Sequence, residues 1–445
     1  MTNEEHSAMT RKFTEREITM AVNNMGRGKA PGPNGFSLEF YSFFWDDIKH
    51  ALISVMEKFH EREIIPETWG KTNLILAKCL VNRLRPMIKY CISKEQGAFV
   101  EKRNLQDNVI VLSEIVNVVR KSKRSVSYIF IKMDLKKTYD RVSWEALDKI
   151  WEKMNVPRKM RNWLNACMKT ARYRCLVNGQ QSNEFKSHKG IRQGNPLSPY
   201  MFIMLQELLT LLIKKEVGKG NIKAYKYKEI SISHLLFADD IIFTIKGSRM
   251  SCLHLKKVLE VYSKVTNQKV NLDKSEIYYP DDCEERTKNE IMSILGINEG
   301  KYPIKYLGTY IDKGIIPMKY QRIAIEKAEK RIECWASKIV SQAGKVVLIN
   351  SVINSMPVYS LLTTWLNEKV VEEHKKMIRK YMWKSSEKKH GFYLVNWNKV
   401  TCSKLNGGIG IMRYDIHAKR VLALLNRKNQ IWVNLTRRKY VDFHP

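Results

Sequence analysis

The chain has 445 residues, and its 78 Lys and Arg against 45 Asp and Glu leave a formal net charge of +33. That excess goes far beyond what solubility requires and points to a densely anionic partner, most simply nucleic acid. A hydrophobic fraction of 44%, with 10 Trp, 20 Tyr and 14 Phe, excludes a disordered basic tail and supplies one large core or two to three domains.

The N-terminus, "MTNEEHSAMTRKF", has no apolar signal region, and no later run approaches the roughly 18 apolar residues of a membrane span. We therefore expect an intracellular, soluble chain without membrane contact. The eight cysteines are scattered, with no pair two to four residues apart and no matching His pair, which reads as reduced packing residues rather than a zinc site. The sequon at Asn434 carries no meaning in such a compartment.

Residues 1–12 are expected to be disordered. "TEREITMAVNNMG" then predicts a helix opening on Thr14, with Glu17 completing a capping box, and ending at Gly26. "GRGKAPGPNG" predicts a loop fixed by Pro31 and Pro33 and freed by Gly32 and Gly35. It is not a phosphate-binding loop, because Ala30 follows Lys29 where Ser or Thr is needed. Helical pattern runs on to about Lys121.

"YIFIKM", Tyr128 to Met133, reads as a nearly buried strand with Asp134 at its end. "RQGNPLSPYMFIMLQELLTLLI" reads as a loop and a long apolar helix. "SISHLLFADDIIFTIKG" reads as a β-hairpin with Asp239 and Asp240 at its tip. After about Gly300, Ile325, Ala328, Ile332, Trp335 and Ile339 recur at helical steps on a basic helix, and "AGKVVLINSVINSMPVY" predicts a second helix. We expect a separate helical, basic domain from about Lys301. "NGGIGI", Asn406 to Ile411, reads as a turn into a strand.

Adjacent carboxylates at the tip of an apolar hairpin repel each other, and leaving them desolvated and unpaired costs several kcal/mol. Solvent, basic side chains or a divalent cation would relieve this. Asp134 ends a second apolar strand in the same way, or serves as the N-cap of a helix beginning "DLKKTYD". Three acids at the ends of neighbouring buried strands can hold two Mg²⁺ ions, which suit a phosphoryl transfer on a nucleic-acid chain.

"KMDLKKTYDRVSW", "GIRQGNPLSPYMF", "FADD", "NQKVNLDKS" and "IKYLGTYI" stand in the order and approximate spacing of the reverse transcriptase motifs. With "KAPGPNGF" before them and "SQAGKVVLINSVINSMPVY" after, the chain resembles LINE-type (non-LTR) retrotransposon reverse transcriptases, especially those of plants, from about Phe13 to about Arg427. The resemblance implies an α+β, right-hand polymerase fold and RNA-directed DNA polymerase activity. It implies fingers and N-terminal helices over 13–125, a palm with an antiparallel sheet and interleaved fingers helices over 126–300, and a primer grip, helical basic thumb and C-terminal extension over 301–445.

The same resemblance assigns roles. Asp134 and Asp239 would be the principal ligands of two Mg²⁺ ions, or Mn²⁺ in their place, with Asp240 supporting them. Tyr139 would pack under the incoming sugar and exclude a 2′-hydroxyl; its alternative is a core aromatic. Arg192, Gln193 and Gly194 match the loop at the nascent base pair, where glycine lets backbone approach closely. Lys274 would lie near the triphosphate, and Tyr306, Leu307 and Gly308 would form the primer grip. Implied partners are an RNA template, a DNA primer or heteroduplex held through its backbone, and deoxynucleoside triphosphates. No oligomeric state follows.

Departures from the family's pattern bear on activity. Leu76 runs directly into Ala77 where the family carries fingers strands with basic residues that meet the triphosphate. Weakened nucleotide binding and a poorly formed region around residues 70–85 are expected. Asn34 and Asn195 replace a usual Asp, Thr138 a usual Ala, Asn267 a usual Gly, and Glu101-Lys102-Arg103 the usual "PGR". The endonuclease that precedes such polymerases and the Cys/His module that follows them are expected to be lacking. Two other readings stay open: a catalytically inactive nucleic-acid-binding remnant, and a group II intron maturase-like splicing factor, which should lack "AGKVVLINSVINSMPVY".

Overall fold

The computed structural model describes residues 3–25, 38–65, 73–121, 128–170, 172–336, 340–358, 366–383, 395–411 and 432. The loop "GRGKAPGPNG" and Asn434 lie outside them. Helix α1 (Asn3–Thr10) occupies a segment expected to be disordered, and its Met9 is buried in the first core. Helix α2 (Glu15–Asn23) starts on Thr14, whose Oγ1 accepts the Glu17 N–H at 3.3 Å. Only half of the capping box forms, because the Glu17 carboxylate turns away to accept from Arg83 Nε at 2.7 Å. The helix ends at the cap Asn24, short of Gly26.

Helices α3 (Leu38–Phe43), α4 (Trp45–Arg62) and α5 (Asn73–Cys91) complete the N-terminal layer. Helix α5 corrects the expectation of a poorly formed junction. Leu76 and Ala77 lie within it, 1% and 0% exposed, packed in the first core with Leu80 and Leu84. Residues 70–72 fall outside the described set. Helix α6 (Leu105–Lys121) buries Val109, Leu112, Val116 and Val119, spaced by three and four residues as one helical face requires.

Strand β1 (Tyr128–Met133) forms as expected. Asp134 caps no helix: a 3₁₀ turn at Tyr139–Arg141 intervenes, and α7 (Trp144–Lys153) takes Ser143 as its N-cap. Helix α8 (Arg158–Lys169) follows, then short strands β2 (Arg172–Tyr173), β3 (Leu176–Val177), β4 (Gln180–Gln181) and β5 (Phe185–Lys186), paired β2 with β5 and β3 with β4. The apolar helix α9 (Ser198–Gly218) runs through the interior and is buried on most sides. Strands β6 (Tyr225–Tyr227) and β7 (Ile230–Ile232) lead into the expected hairpin, β8 (His234–Phe237) and β9 (Asp240–Lys246).

Helix α10 (Arg249–Thr266), β10 (Glu276–Tyr278), α11 (Glu285–Leu295) and β11 (Asn298–Glu299) complete a five-stranded sheet of order β11-β10-β1-β9-β8, antiparallel except for β11 on β10. Period-two alternation sorts its side chains into two cores. Ile129, Ile131, Met133, Ile241 and Phe243 face α9, α10 and α11. Phe130, Ile242 and Tyr278 face α6 and the hairpin of β12 (Ile304–Tyr306) and β13 (Thr309–Ile311).

That hairpin shares a core with the sheet, so the separate unit expected from residue 301 begins in packing terms with α12 (Met318–Ala336). There Ile325 and Ala328 are buried and Ile332 and Trp335 pack partly against them; Ile339 lies outside the described residues. The expected second helix is broken into α13 (Gln342–Leu348), a π-helical turn at Ile349–Ile353 and α14 (Ser355–Val358). Helices α15 (Glu368–Trp383) and α16 (Trp397–Val400) close the unit. "NGGIGI" makes its turn at Gly407, φ +74°, but continues as irregular chain to the buried Ile411 rather than as a strand.

Two buried histidines tie this packing to pH. His234, 0% exposed on β8, lies between the hydroxyls of Ser233 (2.8 Å) and Thr210 (3.1 Å), and burial pushes its imidazole down to about 4. His374 on α15 is likewise pushed down to about 4 by burial. An unfolded histidine takes up a proton near pH 6.5, so the stability from a neutral folded ring is complete above that pH and is lost as pH falls toward 4. For His234 we expect a loss on the order of 3 kcal/mol across this window. Urea unfolding at pH 7.5 and 4.5 should show it, and His234→Gln should flatten the difference; an unchanged slope in the variant would refute the assignment.

Candidate active site

The tip of the β8–β9 hairpin is a two-residue turn: Phe237 pairs with Asp240, leaving Ala238 and Asp239 between them. Ala238 adopts φ +53°, a left-handed conformation that a side chain disfavours. Buried neighbours hold it there. Gln96 Oε1 accepts the Ala238 N–H at 3.0 Å, and Gln206 Nε2 donates to the Ala238 carbonyl at 3.4 Å. Tyr262 donates its hydroxyl to Gln206 Oε1 at 3.0 Å. Two residues back, the Leu236 carbonyl accepts from the Gly97 N–H and from Asn108 Nδ2, both at 2.8 Å.

The carboxylates themselves face outward. Asp239 and Asp240 are exposed and Asp134 is half-buried. Met133 is the register partner of Ile241 on the neighbouring strand, so one step further Asp134 faces Asp240 across the open end of β1 and β9. Asp134 is itself clasped by the segment after α10. Asn271 donates its N–H to the Asp134 carbonyl at 2.8 Å and its Nδ2 to Oδ2 at 3.0 Å, while the Asp134 N–H reaches Ser275 Oγ at 3.1 Å. That segment begins at Asn267, φ +63°, where α10 ends left-handed, a position suited to Gly or Asn. The departure from the usual Gly is therefore conformationally mild.

Electrostatics bind the acids into one site. Surrounding protein first, then the charges of Asp239 and Asp134, raise the Asp240 carboxyl above its ordinary range, although the side chain still reaches solvent; Lys132 pulls the other way. Lys132, two residues before Asp134 on the same strand face, stands 4.0 Å from Glu276. Tyr139 is half-buried and stacks on Phe202, centroids 5.3 Å apart at 16°. Burial, then the charge of Asp239, raises its phenol.

The remaining expected residues surround this cluster unevenly. Arg192, Gln193 and Gly194 are exposed on a loop tied to the Tyr139 segment by Ile191 N–H to the Tyr139 carbonyl, 2.8 Å. Gly194 sits at φ +85° with no atom within 4 Å of where a Cβ would stand, so backbone conformation rather than crowding calls for glycine there. Lys274 is exposed, three residues after Asn271, and its N–H turns back to the Asn271 carbonyl at 3.2 Å. Tyr306 is buried beneath the turn Leu307-Gly308, whose φ values are +47° and +84°. Arg120 from α6 holds the far end of that hairpin, pairing with Asp312 and, at 2.5 Å, with Asp281. A solvent-open hollow of about 850 Å³ lies apart from the acids, lined by Ser143, Trp144, Lys149, Lys189 and Lys264 among others.

Oxygen donors on adjoining strand ends suit a hard divalent cation, which would relieve the repulsion from Asp239 and Asp134 that adds to burial in raising Asp240. The donor set is open: among the described residues no three His, Cys, Asp or Glu side chains are drawn together into a metal cage. Magnesium ordinarily takes one or two carboxylates plus water and substrate phosphates, so the acids fit that ion without a closed cage. Gln96, Gln206, Asn271 and Ser275 were not singled out from the sequence. Asn271 and Ser275 lay inside a motif that was quoted, whereas a lone glutamine in a helix or loop carries no local signal.

Comparison with known proteins bears on what this arrangement does. A family model described as "Reverse transcriptase (RNA-dependent DNA polymerase)" matches residues 73–311. A 149 kDa protein of transposon TX1 from Xenopus laevis is 23% identical over 92% of this chain and 33% of its own length. The Pol polyprotein of a type-1 retrotransposable element R2 from Popillia japonica is 29% identical over 30% of this chain and 21% of its own. The chain thus spans about a third or less of these two relatives. Among solved structures, apo telomerase from Candida tropicalis is similar at 13% identity and TM-score 0.39, over 88% of this chain and 65% of that one.

Proposed function

This chain belongs to the reverse transcriptase (RNA-dependent DNA polymerase) family, of the non-LTR retrotransposon type, and from that premise we propose that it extends a primer on an RNA template using deoxynucleoside triphosphates. The observation that carries the reading is the opposition of Asp134 to Asp239 and Asp240 at the open end of a buried sheet, in a chain of net charge +33. Reverse transcriptases generally use divalent metals. Two Mg²⁺ ions held by these acids would supply the charge that aligns the attacking 3′-oxygen and the leaving pyrophosphate.

The other residues divide the work of binding and positioning. Tyr139, braced by Phe202, would form the floor under the sugar and exclude a 2′-hydroxyl. Arg192, Gln193 and Gly194 would border the nascent base pair from an exposed loop, and Lys274 would face the triphosphate. Tyr306, Leu307 and Gly308, seated on α6 and the sheet, would support the primer strand. Basic surfaces would hold the heteroduplex through its phosphates.

The test is primer extension on an RNA template with Mg²⁺ and deoxynucleotides, beside duplex binding at two salt concentrations. We expect template-dependent extension, with affinity falling at least ~10²-fold between about 50 and 200 mM salt. Salt-sensitive binding without extension would replace this reading with that of an inactive binding remnant. The continuous helix α5 across Leu76 and Ala77, where the family's pattern has fingers strands, is the observation that would then account for the loss.

A further inference from the structure

We propose that Gln96 and Gln206 form a clamp on Ala238 that positions Asp239 and Asp240 for the reaction. The inference deepens the proposed polymerase reading and rests on it. Neither glutamine would touch substrate: both are buried, 1% and 0% exposed, beneath a turn whose carboxylates face outward.

The turn needs positive φ at its first central position, where glycine is the usual residue, yet Ala238 occupies it at +53°. Such a conformation persists only where the surroundings fix it. Ala238 is itself buried, so its N–H and carbonyl must find partners within the protein. Gln96 and Gln206 satisfy one each.

Both side chains are oriented by other contacts. Gln96 Oε1 also accepts the Ala98 N–H at 3.0 Å, so two donors converge on it and fix which end of the amide is oxygen. Its backbone carbonyl accepts from Arg103 at 2.7 Å, and Gln96 pairs with Leu236 in a parallel bridge. Tyr262 donates to Gln206 Oε1, leaving Nε2 to face Ala238. The clamp thus draws on α9, α10 and the chain between α5 and α6, none of which carries the acids. Gln206 accepts and donates, whereas Gln96 uses its oxygen for two donors and leaves its buried Nε2 without a partner; neither amide adds charge beneath the carboxylates.

Hydrogen-exchange mass spectrometry tests the clamp without requiring polymerisation. In Gln96→Met, similar in length but lacking the acceptor, peptides covering residues 234–243 should exchange ~10-fold faster while those covering β1 do not change. Mn²⁺ affinity, read by electron paramagnetic resonance of the free ion, should weaken, and kcat for extension should fall ~10²-fold with KM for nucleotide nearly constant. If Gln96→Met does not accumulate as a folded chain, Gln206→Leu carries the same measurements from the other end.

Unchanged exchange at residues 234–243, or acceleration spread equally over β1, would overturn the clamp. A parent chain that extends primers while Gln96→Met does so equally well sinks the clamp alone. A parent chain that extends nothing, but whose hairpin protection depends on Gln96, sinks the polymerase reading and keeps the clamp as the device that sets the turn.

Discussion

Asp134→Asn or Asp239→Asn is expected to lower primer extension by ~10³-fold or more, because in the proposed reaction each would remove a charge that holds cations at the reacting phosphate, worth several kcal/mol of transition-state stabilisation. The same substitutions should leave the fold intact. Asp239 is exposed and Asp134 keeps its backbone bonds to Asn271 and Ser275 whichever oxygen or nitrogen its side chain carries. Removing one of three mutually repelling carboxylates should also leave thermal stability equal or slightly higher, since the charges of Asp239 and Asp134 both strain Asp240. Extension within tenfold of the parent in either variant, with melting temperature preserved, would remove that acid from the catalytic role.

Arg83→Met is expected to have the largest effect on stability, a loss of about 3–5 kcal/mol. The Arg83 side chain is 3% exposed and forms a two-pronged pair with Glu17, Nε to Oε1 at 2.7 Å and Nη2 to Oε2 at 2.8 Å. It also donates to the carbonyls of Met9, Arg11 and Lys12, and its guanidinium lies 4.1 Å from the Phe13 ring centroid. One side chain on α5 therefore fastens α1, α2 and the turn between them. Its removal leaves the Glu17 carboxylate buried without a counter-charge and frees those carbonyls. Urea unfolding measures the loss, and Arg83→Met combined with Glu17→Leu should lose clearly less than the two single losses added together. A single-variant loss under about 1 kcal/mol would show that the N-terminal segment is held mainly by apolar packing.

Helix α5 and the hairpin separate what local pattern can say from what it cannot. Strand β1, the β8–β9 hairpin, helix α9 and the Thr14 cap were readable because each is written in neighbouring residues: an apolar run closed by an acid, a pair of apolar strands around a turn, a hydroxyl before a helix. The same local view misassigned Glu17 to its own helix end and left a cap open as an alternative for Asp134. In both cases a distant partner, Arg83 for one and Asn271 for the other, offered a better bond than the local one. Residues 3–10 and 73–85 were also underestimated. The order of residues 3–10 comes from burial against other elements, while 73–85 carry helical spacing at Leu76, Leu80 and Leu84 that the expected gap in the fingers overrode.

By itself the sequence determined a net charge of +33 that favours a polyanionic partner, and it marked the candidate acids through the contrast between carboxylates and the apolar strands that carry them. The tertiary structure alone decided how those acids are held. Asp134 and Asp240 face each other because two strands distant in sequence share a register, and the Asp239 turn keeps its strained form because glutamines 142 and 32 residues away from Ala238 bond its two polar groups. Hydrogen bonds act over a few ångströms of space whatever the separation along the chain, so no window of sequence could contain them.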